Sequence, residues 1–589
     1  MSVLTRLEDL REKEVISAVE VEFVRFLLEI HPSVQDDVLW AAAACIYAQK
    51  NGHVCLDFAN WDDEWLFNDK KSNLKLTDSI KKQWITSLAE CPIVSDGKEL
   101  QPLILESSRL YLHRFWSFEG ELCDWLNHKS SKTNQISEIE KKVMQSLLNP
   151  TEDLFETNWQ HIAVQLSFLK DIVVVSGGPG TGKAFKPEGD FRIALAAPTG
   201  KAARRLAESL EAGKNNLPDK MQGEVQIPDS AQTVHKLLGS DFRGASFSFN
   251  EENPLPYDLV IIDEASMLDM NMWVRLIRAI GSNTKLIVLG DKDQLASVEA
   301  GSILGDICGG DNSFSDRIAK SISQIQGTNI PIVKDQPSIN DCIVFLTKSY
   351  RFGENSGIQK FAAAVNESNP DLAIKILQDS NLTDLNWLEP TSENMETIVR
   401  DYAVNHHAEF QKKPQDQRLS ASNKKKILCA LRKGPFGVEQ VNGKVESIIK
   451  RKHNILAGRI WYEGRIVMAT RNDALLRIRN GDIGIYTDKE NGVIEFEGEE
   501  GQSLSANRLK DYEPAFAITI HKSQGSEFDE VAVILSNRVN SVLSKEILYT
   551  AVTRARKNTL IIVNEDVLRK TILRSVSRRS GLKEKIWGP

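Results

Sequence analysis

The chain has 589 residues, of which 41% are hydrophobic and 26% are charged, and its formal net charge at pH 7 is −8. This composition is typical of folded globular proteins and excludes a disordered or fibrous chain. At about 150 residues per domain, the length predicts three or four domains. Because the net charge is negative, nucleic acid would have to bind in local grooves, and the composition neither supports nor excludes DNA.

The seven cysteines are scattered and form no C-x-x-C pair or zinc-ligand pattern, which favours a reducing compartment. No apolar run approaches the roughly 20 residues that a membrane-spanning helix needs. Charged residues also occupy the N-terminal stretch where a signal peptide would be apolar. These features predict a cytoplasmic protein without a membrane partner.

Residues 1 to about 110 are predicted to form a helical N-terminal domain. The stretches 21–30 and 36–50 carry apolar residues at three- and four-residue spacing, which is the pattern of one helical face. No pattern that carries chemistry is visible in this region.

From about residue 155, short apolar runs alternate with helical stretches, which predicts an α/β fold. The runs are apolar enough for strands buried on both faces of a parallel sheet. They lie at 172–177, 192–198, 259–265 and 285–291. We place a first α/β domain at 111–350 and a second at 351–589.

Within the second α/β domain, residues from about 440 to 510 change to an all-β pattern. Alternating apolar runs there flank Asn491 and Gly492, a dipeptide typical of tight hairpin turns. We therefore expect a small β-barrel inserted into the second domain.

A phosphate-binding pattern, G-x-x-x-x-G-K, follows the predicted strand at 171–175. Backbone N–H groups of such a loop surround phosphate oxygens, and its lysine supplies a positive charge. The preceding strand provides the context that the pattern requires, so we expect an ATP site rather than a glycine-rich surface loop. The loop residues are Gly177, Gly178, Pro179, Gly180, Thr181, Gly182 and Lys183.

Two carboxylates, Asp263 and Glu264, end the apolar run at 259–262. In an ATPase the first such carboxylate holds Mg²⁺ through water, and the second polarises the attacking water. An isolated pair of this kind is more often a solvated turn. The phosphate loop upstream favours the catalytic interpretation here.

Ten segments in a fixed order carry a resemblance to a known family. They read SGGPGTGK, LAAPTGKAARRL, TVHKLLG, IIDEASMLD, GDKDQLASVEAGSILGDI, KSYRFG, GPFGV, NGDIGI, TIHKSQGSEFD and YTAVTRAR. The series resembles the superfamily-one helicases and, among them, the RecD family, the alpha subunits of bacterial exonuclease V. The resemblance runs from about residue 105 to the C-terminus.

The resemblance implies two RecA-like motor domains with parallel sheets, an SH3-like barrel as the insertion, and ATP with Mg²⁺ in the cleft between the motors. It implies single-stranded DNA that crosses both motors in the 5′ to 3′ direction. It also implies RecB-like and RecC-like partner subunits, docked by the N-terminal domain, that act with this chain on double-strand DNA ends.

The resemblance also assigns site residues. Gln160 matches the glutamine that reads adenine, and Gln294 matches the glutamine that senses the γ-phosphate. Arg351 and Arg554 match the arginines that stabilise charge on the transferring phosphoryl group from the far domain. The expected catalytic set therefore consists of Lys183, Asp263, Glu264, Gln294, Arg351 and Arg554.

Further segments match the parts of the family that grip the DNA strand. Hydroxyl, amide and lysine groups suit contacts to the nucleic-acid backbone, which carry no sequence information. The residues are Thr199, Lys201, Thr233, His235, Thr519, His521, Ser523 and Gln524. For the two histidines a structural role remains an alternative.

The sequence departs from the family directly after Lys183. Ala184 stands where a Ser or Thr would ligate Mg²⁺, and only seven residues separate Lys183 from Phe191. A parallel crossover needs about a dozen residues, most of them helical. Three explanations stay open: the sequence omits a stretch of the chain, the helix is deleted, or the loop is a functional variant.

The sequence therefore predicts an ATP-dependent 5′ to 3′ DNA helicase subunit of a RecBCD-type helicase–nuclease that processes double-strand ends for recombinational repair. No carboxylate cluster typical of a nuclease accompanies the motifs, so strand cutting is expected from a partner. Two alternatives remain. One is an ATPase-defective structural or regulatory subunit of the same complex, and the other is an RNA helicase or another nucleic-acid-stimulated ATPase outside recombination.

Overall fold

The structure is a computed structural model that describes residues 2–147, 157–178, 191–215, 228, 230–240, 246–297, 299–326, 330–348, 351–353, 355–473, 475–489, 492–497, 503–576 and 578–588. The predictions for Pro179–Lys183, Ala184 and Asn491 therefore concern residues outside the described ones. All seven cysteines are buried and free. Among the described residues no helix has the length and apolar character to cross a membrane.

The N-terminal region contains the predicted helices, which are α1 Val3–Glu12, α2 Ala18–Ile30, α3 Asp36–Lys50 and α4 Asp78–Ala89. A capping box of Ser17 and Glu20 starts α2, and α3 is buried almost throughout its length. A four-stranded sheet in the order β1-β4-β3-β2 accompanies them. Its strands are β1 Leu56–Asp57, β2 Val94–Ser95, β3 Leu103–Glu106 and β4 Arg109–Leu112. Strands of two to four residues are too short to produce a readable periodicity.

The first parallel sheet has six strands in the order β10-β5-β9-β8-β6-β7. They are β5 Ile172–Ser176, β6 Ile193–Ala197, β7 Gln232–Thr233, β8 Leu259–Ile262, β9 Lys285–Gly290 and β10 Ile343–Phe345. Helices connect and flank these strands, namely α5 His113–Ser131, α6 Glu138–Leu147, α7 Trp159–Leu169, α8 Gly200–Asn215, α9 Val234–Leu237, α10 Met270–Ala279, α11 Ile303–Ile307 and α12 Asp316–Gln326. Strands β5, β6 and β8 are buried at every residue, which confirms the predicted α/β core.

The second parallel sheet has five strands in the order β11-β20-β19-β12-β18. They are β11 Leu385–Leu388, β12 Lys425–Cys429, β18 Ala517–Thr519, β19 Phe528–Ile534 and β20 Ala555–Ile562. The helices that follow the first sheet are α13 Gly357–Asn366, α14 Pro370–Leu377, α15 Ser392–Asp401, α16 His407–Gln411, α17 Gln415–Ser422, α18 Val438–Lys452, α19 Lys545–Val552, α20 Glu565–Leu573 and α21 Leu582–Trp587. Two α/β units with parallel sheets were predicted, and both are present.

An antiparallel sheet is inserted before β18, in the order β16-β15-β14-β13-β17. Its strands are β13 Ile466–Ala469, β14 Ile483–Thr487, β15 Val493–Phe496, β16 Ser503–Ser505 and β17 Tyr512–Pro514. Gly492 has a φ of +87° between β14 and β15, as the hairpin prediction requires. The SH3-like barrel form stays a prediction.

The prediction that the all-β region starts at about residue 440 was wrong. Helix α18 covers Val438–Lys452, and β13 begins only at Ile466. Val438, Val441, Val445 and Ile449 are the buried apolar residues of α18, and their spacing of three and four residues is helical.

Each α/β unit has a segment that packs into the apolar core of the other unit. Leu295, which follows β9 of the first sheet, is buried in the apolar core of the second sheet. Conversely, Leu582 and Ile586 of α21 are buried in the core beneath the first sheet. The C-terminal residues 578–588, which were predicted within the second domain, therefore pack on the first.

Candidate nucleotide and nucleic-acid site

The candidate nucleotide site lies at the carboxyl ends of the strands in the first sheet. Gly177 and Gly178 follow β5, and the Gly177 N–H donates to the carbonyl of Gly290 at the end of β9 (3.0 Å). Asp263 and Glu264 follow β8. Because these strands are parallel neighbours, their polar ends converge on one edge of the sheet.

The Asp263–Glu264 pair occupies a constrained turn. Glu264 has a left-handed backbone with a φ of +53°, which is unusual for a side chain of its size. Its N–H donates to Asp263 Oδ1 (2.9 Å), and both residues are half-buried. The tight turn holds two adjacent carboxylates directly after the end of β8, a donor set suited to Mg²⁺ held partly by water and phosphate.

Gln294 and Arg554 meet across the two sheets. Arg554 is 1% exposed and its Nη2 donates to Gln294 Oε1 (2.7 Å), while Gln294 is 5% exposed. The guanidinium also donates to the carbonyls of Thr550 (3.2 Å) and Ser526 (3.3 Å). Two predicted catalytic side chains from different α/β units are therefore in direct contact.

Arg351 lies beside the same cleft, in the connection between the two sheets. It donates to the carbonyl of Thr553 (3.1 Å) and forms an ion pair with Glu527. Arg556 (2.8 Å) and Arg205 (3.6 Å) also pair with Glu527. Burial alone would raise the pKa of Glu527, but the surrounding guanidinium groups outweigh it and hold that pKa at about 2.

Gln160 lies in the first turn of α7, the helix that precedes β5. Asn158 caps this helix, and its Oδ1 accepts from the N–H groups of Gln160 (3.1 Å) and His161 (3.3 Å). The cap fixes the start of the helix, so Gln160 is held on the same α–β unit that leads into the phosphate loop.

Two of the three segments predicted to bind DNA are brought together by strand pairing. Ala197 of β6 is directly opposite Thr233 of β7, so the segments that follow both strands lie side by side. Thr199 Oγ1 accepts from the Ala202 N–H (3.2 Å), and Thr233 Oγ1 accepts from the Lys236 N–H (3.2 Å). Both threonines therefore cap helices, and His235 is exposed beside them.

Lys201 extends toward the second unit rather than away from it. Its Nζ lies 5.9 Å from the centre of the Phe528 ring. Burial lowers the pKa of Lys201 to about 8, with Arg205 and Arg204 acting in the same direction against Glu497. Lys426 of β12, which is fully buried, approaches the same ring at 5.9 Å.

The third predicted DNA-binding segment begins with Thr519 at the end of β18, and part of it is buried. Thr519 is half-buried and His521 is exposed, but Ser523 and Gln524 are almost fully buried. Ser523 Oγ donates to the carbonyl of Ile520 (2.7 Å), and Gln524 Nε2 donates to the carbonyl of Leu295 (3.0 Å). In this structure Gln524 therefore joins the two α/β units.

Sequence reasoning missed three residues that the structure places at the cleft, namely Asp291, Glu527 and Tyr549. Asp291 accepts from Gln294 Nε2 (2.9 Å) and from the Tyr549 hydroxyl (2.9 Å). Glu527 binds the arginines described above. All three residues lie inside segments quoted for the resemblance, but each is a common residue type with no spacing rule that singles it out.

Two parallel sheets that bring carboxylates from one side and arginines from the other to a shared cleft define a two-domain nucleoside triphosphatase of the motor type. Three families match consecutive parts of the chain. "RecBCD enzyme subunit RecD, N-terminal domain" matches residues 12–111, "AAA domain" matches 160–300, and "UvrD-like helicase C-terminal domain" matches 514–562.

Curated relatives extend the match to nearly the whole chain. The RecBCD enzyme subunit RecD of Buchnera aphidicola (subspecies Acyrthosiphon pisum) is 30% identical over 96% of this chain and 98% of its own length. The ATP-dependent RecD2 DNA helicase of Deinococcus radiodurans is 29% identical over 65% of this chain and 46% of its own. The chain belongs to the RecD family, and it is an ATP-dependent DNA helicase subunit of a RecBCD enzyme.

Solved structures provide a weaker comparison. A Pif1 helicase structure described as unwinding forked double-stranded DNA has 19% identity and a TM-score of 0.34. The match covers 74% of this chain and 94% of that one. At this score the likeness adds nothing to the sheet topology described above.

Proposed function

We propose that this chain moves along single-stranded DNA in the 5′ to 3′ direction, driven by ATP, within a complex that processes double-strand DNA ends for recombinational repair. The observation that carries the proposal is the contact between Arg554 of the second sheet and Gln294 of the first. A guanidinium that meets a γ-phosphate-sensing side chain across a cleft couples hydrolysis to movement of the two domains.

The proposed ATP site combines residues of both sheets. Gln160 would contact the adenine, and the backbone of 177–182 with Lys183 would surround the phosphates. Gln294, Arg351 and Arg554 would stabilise charge on the γ-phosphate.

Mg²⁺ is assigned to Asp263 through water, with Glu264 orienting the attacking water. Their half-buried carboxylates at the end of β8 fit a hard cation that retains water ligands. When bound, the ion neutralises charge on the phosphates. Ala184 provides no hydroxyl for it, so Asp263 would carry the protein's share of the ligation.

The proposed DNA path follows the strand ends that hold Thr199, Thr233 and Thr519. The first two segments are neighbours on β6 and β7. The third reaches them across the domains, since a Cβ on Gly525 would lie 3.2 Å from Ala202 Cβ. A continuous line of hydroxyl and backbone groups suits a strand that is held by its phosphates.

The proposed partners are RecB-like and RecC-like subunits, which would supply strand cutting. The RecD relatives are named as subunits of RecBCD, and the family match at 12–111 covers the N-terminal region to which we assign docking. The alternative of an ATPase-defective subunit is not favoured by the comparisons.

The test uses the chain assembled with its partner subunits. ATP hydrolysis is measured without nucleic acid, with single-stranded DNA and with RNA, and translocation is measured as displacement of streptavidin from either end of a biotinylated strand. We expect stimulation by DNA over RNA and displacement from the 3′ end.

Arg554→Gln should abolish both activities, whereas Arg569→Gln, on the exposed side of α20, should leave both unchanged. Stimulation by RNA alone, or displacement only from the 5′ end, would refute the proposal. An intact complex without ATP turnover would instead identify a structural subunit.

A further inference from the structure

Tyr549 makes a cross-domain contact at the cleft to which no role has been assigned. It belongs to α19 of the second unit and is 7% exposed. Its hydroxyl donates to Asp291 Oδ2 of the first unit (2.9 Å). Burial raises the pKa of Tyr549 well above its usual value, so the group remains a hydrogen-bond donor at any physiological pH.

The same carboxylate oxygen orients Gln294. Asp291 Oδ2 accepts from Gln294 Nε2 (2.9 Å), while Gln294 Oε1 accepts from Arg554 (2.7 Å). An amide has one donor end and one acceptor end, so these two contacts select one orientation of the side chain. Tyr549 and Gln294 thus share a single acceptor, and the position of Asp291 determines where the amide of Gln294 lies.

The Tyr549 hydroxyl also lies against the start of the phosphate loop. A Cβ built on Gly178 would be 3.0 Å from the Tyr549 oxygen and 3.9 Å from Asp291 Oδ2. Three segments therefore meet at this hydroxyl: the turn after β5, the turn after β9, and α19. A side chain larger than hydrogen at position 178 would displace the contact.

We propose that Tyr549 is a positioning residue for ATP hydrolysis, whose hydroxyl acts through Asp291 to hold Gln294 in the orientation that meets the γ-phosphate. The proposal rests on the proposed function, because it assigns a residue to that reaction. Without the hydroxyl, Asp291 Oδ2 loses one of its two donors. Asp291 Oδ1 still accepts from the Asp293 N–H (3.1 Å), so the carboxylate stays attached to its own turn but is no longer fixed from the side of α19, and its hold on the Gln294 amide weakens. The loss would appear in turnover and not in nucleotide binding.

A purely structural role for Tyr549 is the competing explanation, since its ring packs in the core of the second sheet. The Tyr549→Phe variant distinguishes the positioning role from the structural role, because it retains the ring and removes only the hydroxyl. Tyr462→Phe is the matched control. Tyr462 is 1% exposed in the same core, and its hydroxyl donates to a carboxylate, Glu446 Oε1 (3.1 Å).

The experiment measures DNA-stimulated ATP hydrolysis by the assembled complex, together with the Kd of a fluorescent ATP analogue. We expect Tyr549→Phe to lower kcat on the order of tenfold while KM and Kd change less than twofold. Tyr462→Phe should match the wild type in kcat, KM and Kd. In a Gln294→Ala background, Tyr549→Phe should add no further loss, because the hydroxyl acts through that amide.

Four outcomes are decisive. Normal kcat in Tyr549→Phe, or a full additional tenfold loss on top of Gln294→Ala, overturns the positioning role. An equal loss in Tyr462→Phe assigns the effect to general packing and also overturns it. If the wild type hydrolyses no ATP, the proposed function itself fails, an outcome that is distinct from normal turnover with an unaffected variant.

Discussion

Two joints connect the α/β units, and they are built from different interactions. The cleft joint consists of Asp291, Gln294 and Leu295 of the first unit with Gln524, Tyr549, Thr550 and Arg554 of the second. The C-terminal joint consists of residues 578–588 together with the surfaces of the first unit and the N-terminal region that they contact.

The cleft joint depends mainly on polar side chains. The Leu295 N–H donates to Thr550 Oγ1 (3.0 Å) and its carbonyl accepts from Gln524 (3.0 Å). The Arg554–Gln294 and Tyr549–Asp291 contacts lie alongside. The donors of these bonds, such as the Arg554 guanidinium, can turn to a phosphate oxygen, which accepts, and the acceptors that they leave can bind water in an opened cleft.

The C-terminal joint depends on backbone pairing and apolar burial. The Val54 N–H donates to the carbonyl of Arg579 (2.8 Å), and the Gly581 N–H donates to Glu119 Oε1 (2.9 Å). Trp587 Nε1 donates to the carbonyl of Asp306 (3.0 Å), and Leu582 is fully buried. Opening this joint would expose apolar surface with nothing to replace it.

From this comparison we expect the two units to move about a retained attachment. The cleft joint would open and close with nucleotide, while residues 578–588 would keep the second unit tied to the first and to the N-terminal region. Four predictions separate the joints, from the largest expected effect to the smallest.

Changing Arg351 to Gln, beside the cleft joint, should lower activity but not stability. We expect DNA-stimulated kcat to fall by about 10³-fold, the usual cost of losing an arginine that stabilises phosphoryl charge. Glu527 retains its pairs with Arg205 and Arg556, so the melting temperature should change little. Steady-state ATPase and calorimetry check both parts, and a large drop in melting temperature would contradict the division between the joints.

Changing Leu582 to Ala should have the opposite effect, lowering stability while leaving activity intact. The side chain is fully buried beneath the first sheet, so its truncation should cost about 2–5 kcal/mol of unfolding free energy. The kcat measured well below the melting temperature should remain within twofold. Leu573→Ala, at a position that is 62% exposed, is the control and should change neither quantity.

The C-terminal joint should also weaken as pH rises. Burial raises the pKa of Asp306 from 3.8 to about 7, and nearby Glu119 acts in the same direction against Ser580. A pKa raised by folding means that the folded state binds the proton more tightly. The stability from this group is therefore full below about pH 4 and is lost as pH rises through about 7.

Asp306→Asn should remove that pH dependence. The difference in melting temperature between wild type and variant should shift in the variant's favour from pH 5 to pH 8. A pH-independent difference would show that Asp306 does not titrate in this range. Ser580 Oγ, which donates to Asp306 (2.7 Å), can still donate to the amide oxygen.

The smallest effect is expected from Glu584→Gln at the rim of the C-terminal joint. Glu584 pairs with Arg109, but its side chain is 53% exposed. Exposed ion pairs contribute at most about 1 kcal/mol, and salt screens them. Denaturant unfolding at low and high salt should show a loss of that size that shrinks with salt. If Glu584→Gln lost more unfolding free energy than Leu582→Ala, the ranking of interactions in this joint would be reversed.

The strands that carry the site were predictable because their local pattern is strong. The runs at 172–177 and 259–265 are short, apolar and followed by the residues that end a strand at a phosphate or carboxylate position. The structure places strands Ile172–Ser176 and Leu259–Ile262 there. Strand prediction therefore succeeded because it depends on adjacent residues, while the roles of the site residues stay predictions.

Other elements were missed because their pattern is weak or ambiguous. Strands as short as Val94–Ser95 have no period to read. Helix Val438–Lys452 was absorbed into a β prediction because its Val and Ile residues favour a strand by propensity, and only their spacing of three and four residues indicates a helix.

By itself the sequence determined the two α/β units, the order of the motifs, and the family to which the chain belongs, because each of these is written in consecutive residues. Only the tertiary structure decided that Tyr549 meets Asp291, that Gln524 joins the domains, and that residues 578–588 return to the first unit. These pairs are separated by more than 200 residues along the chain. Contacts at such separation depend on how whole elements pack, and no local spacing or composition records that packing.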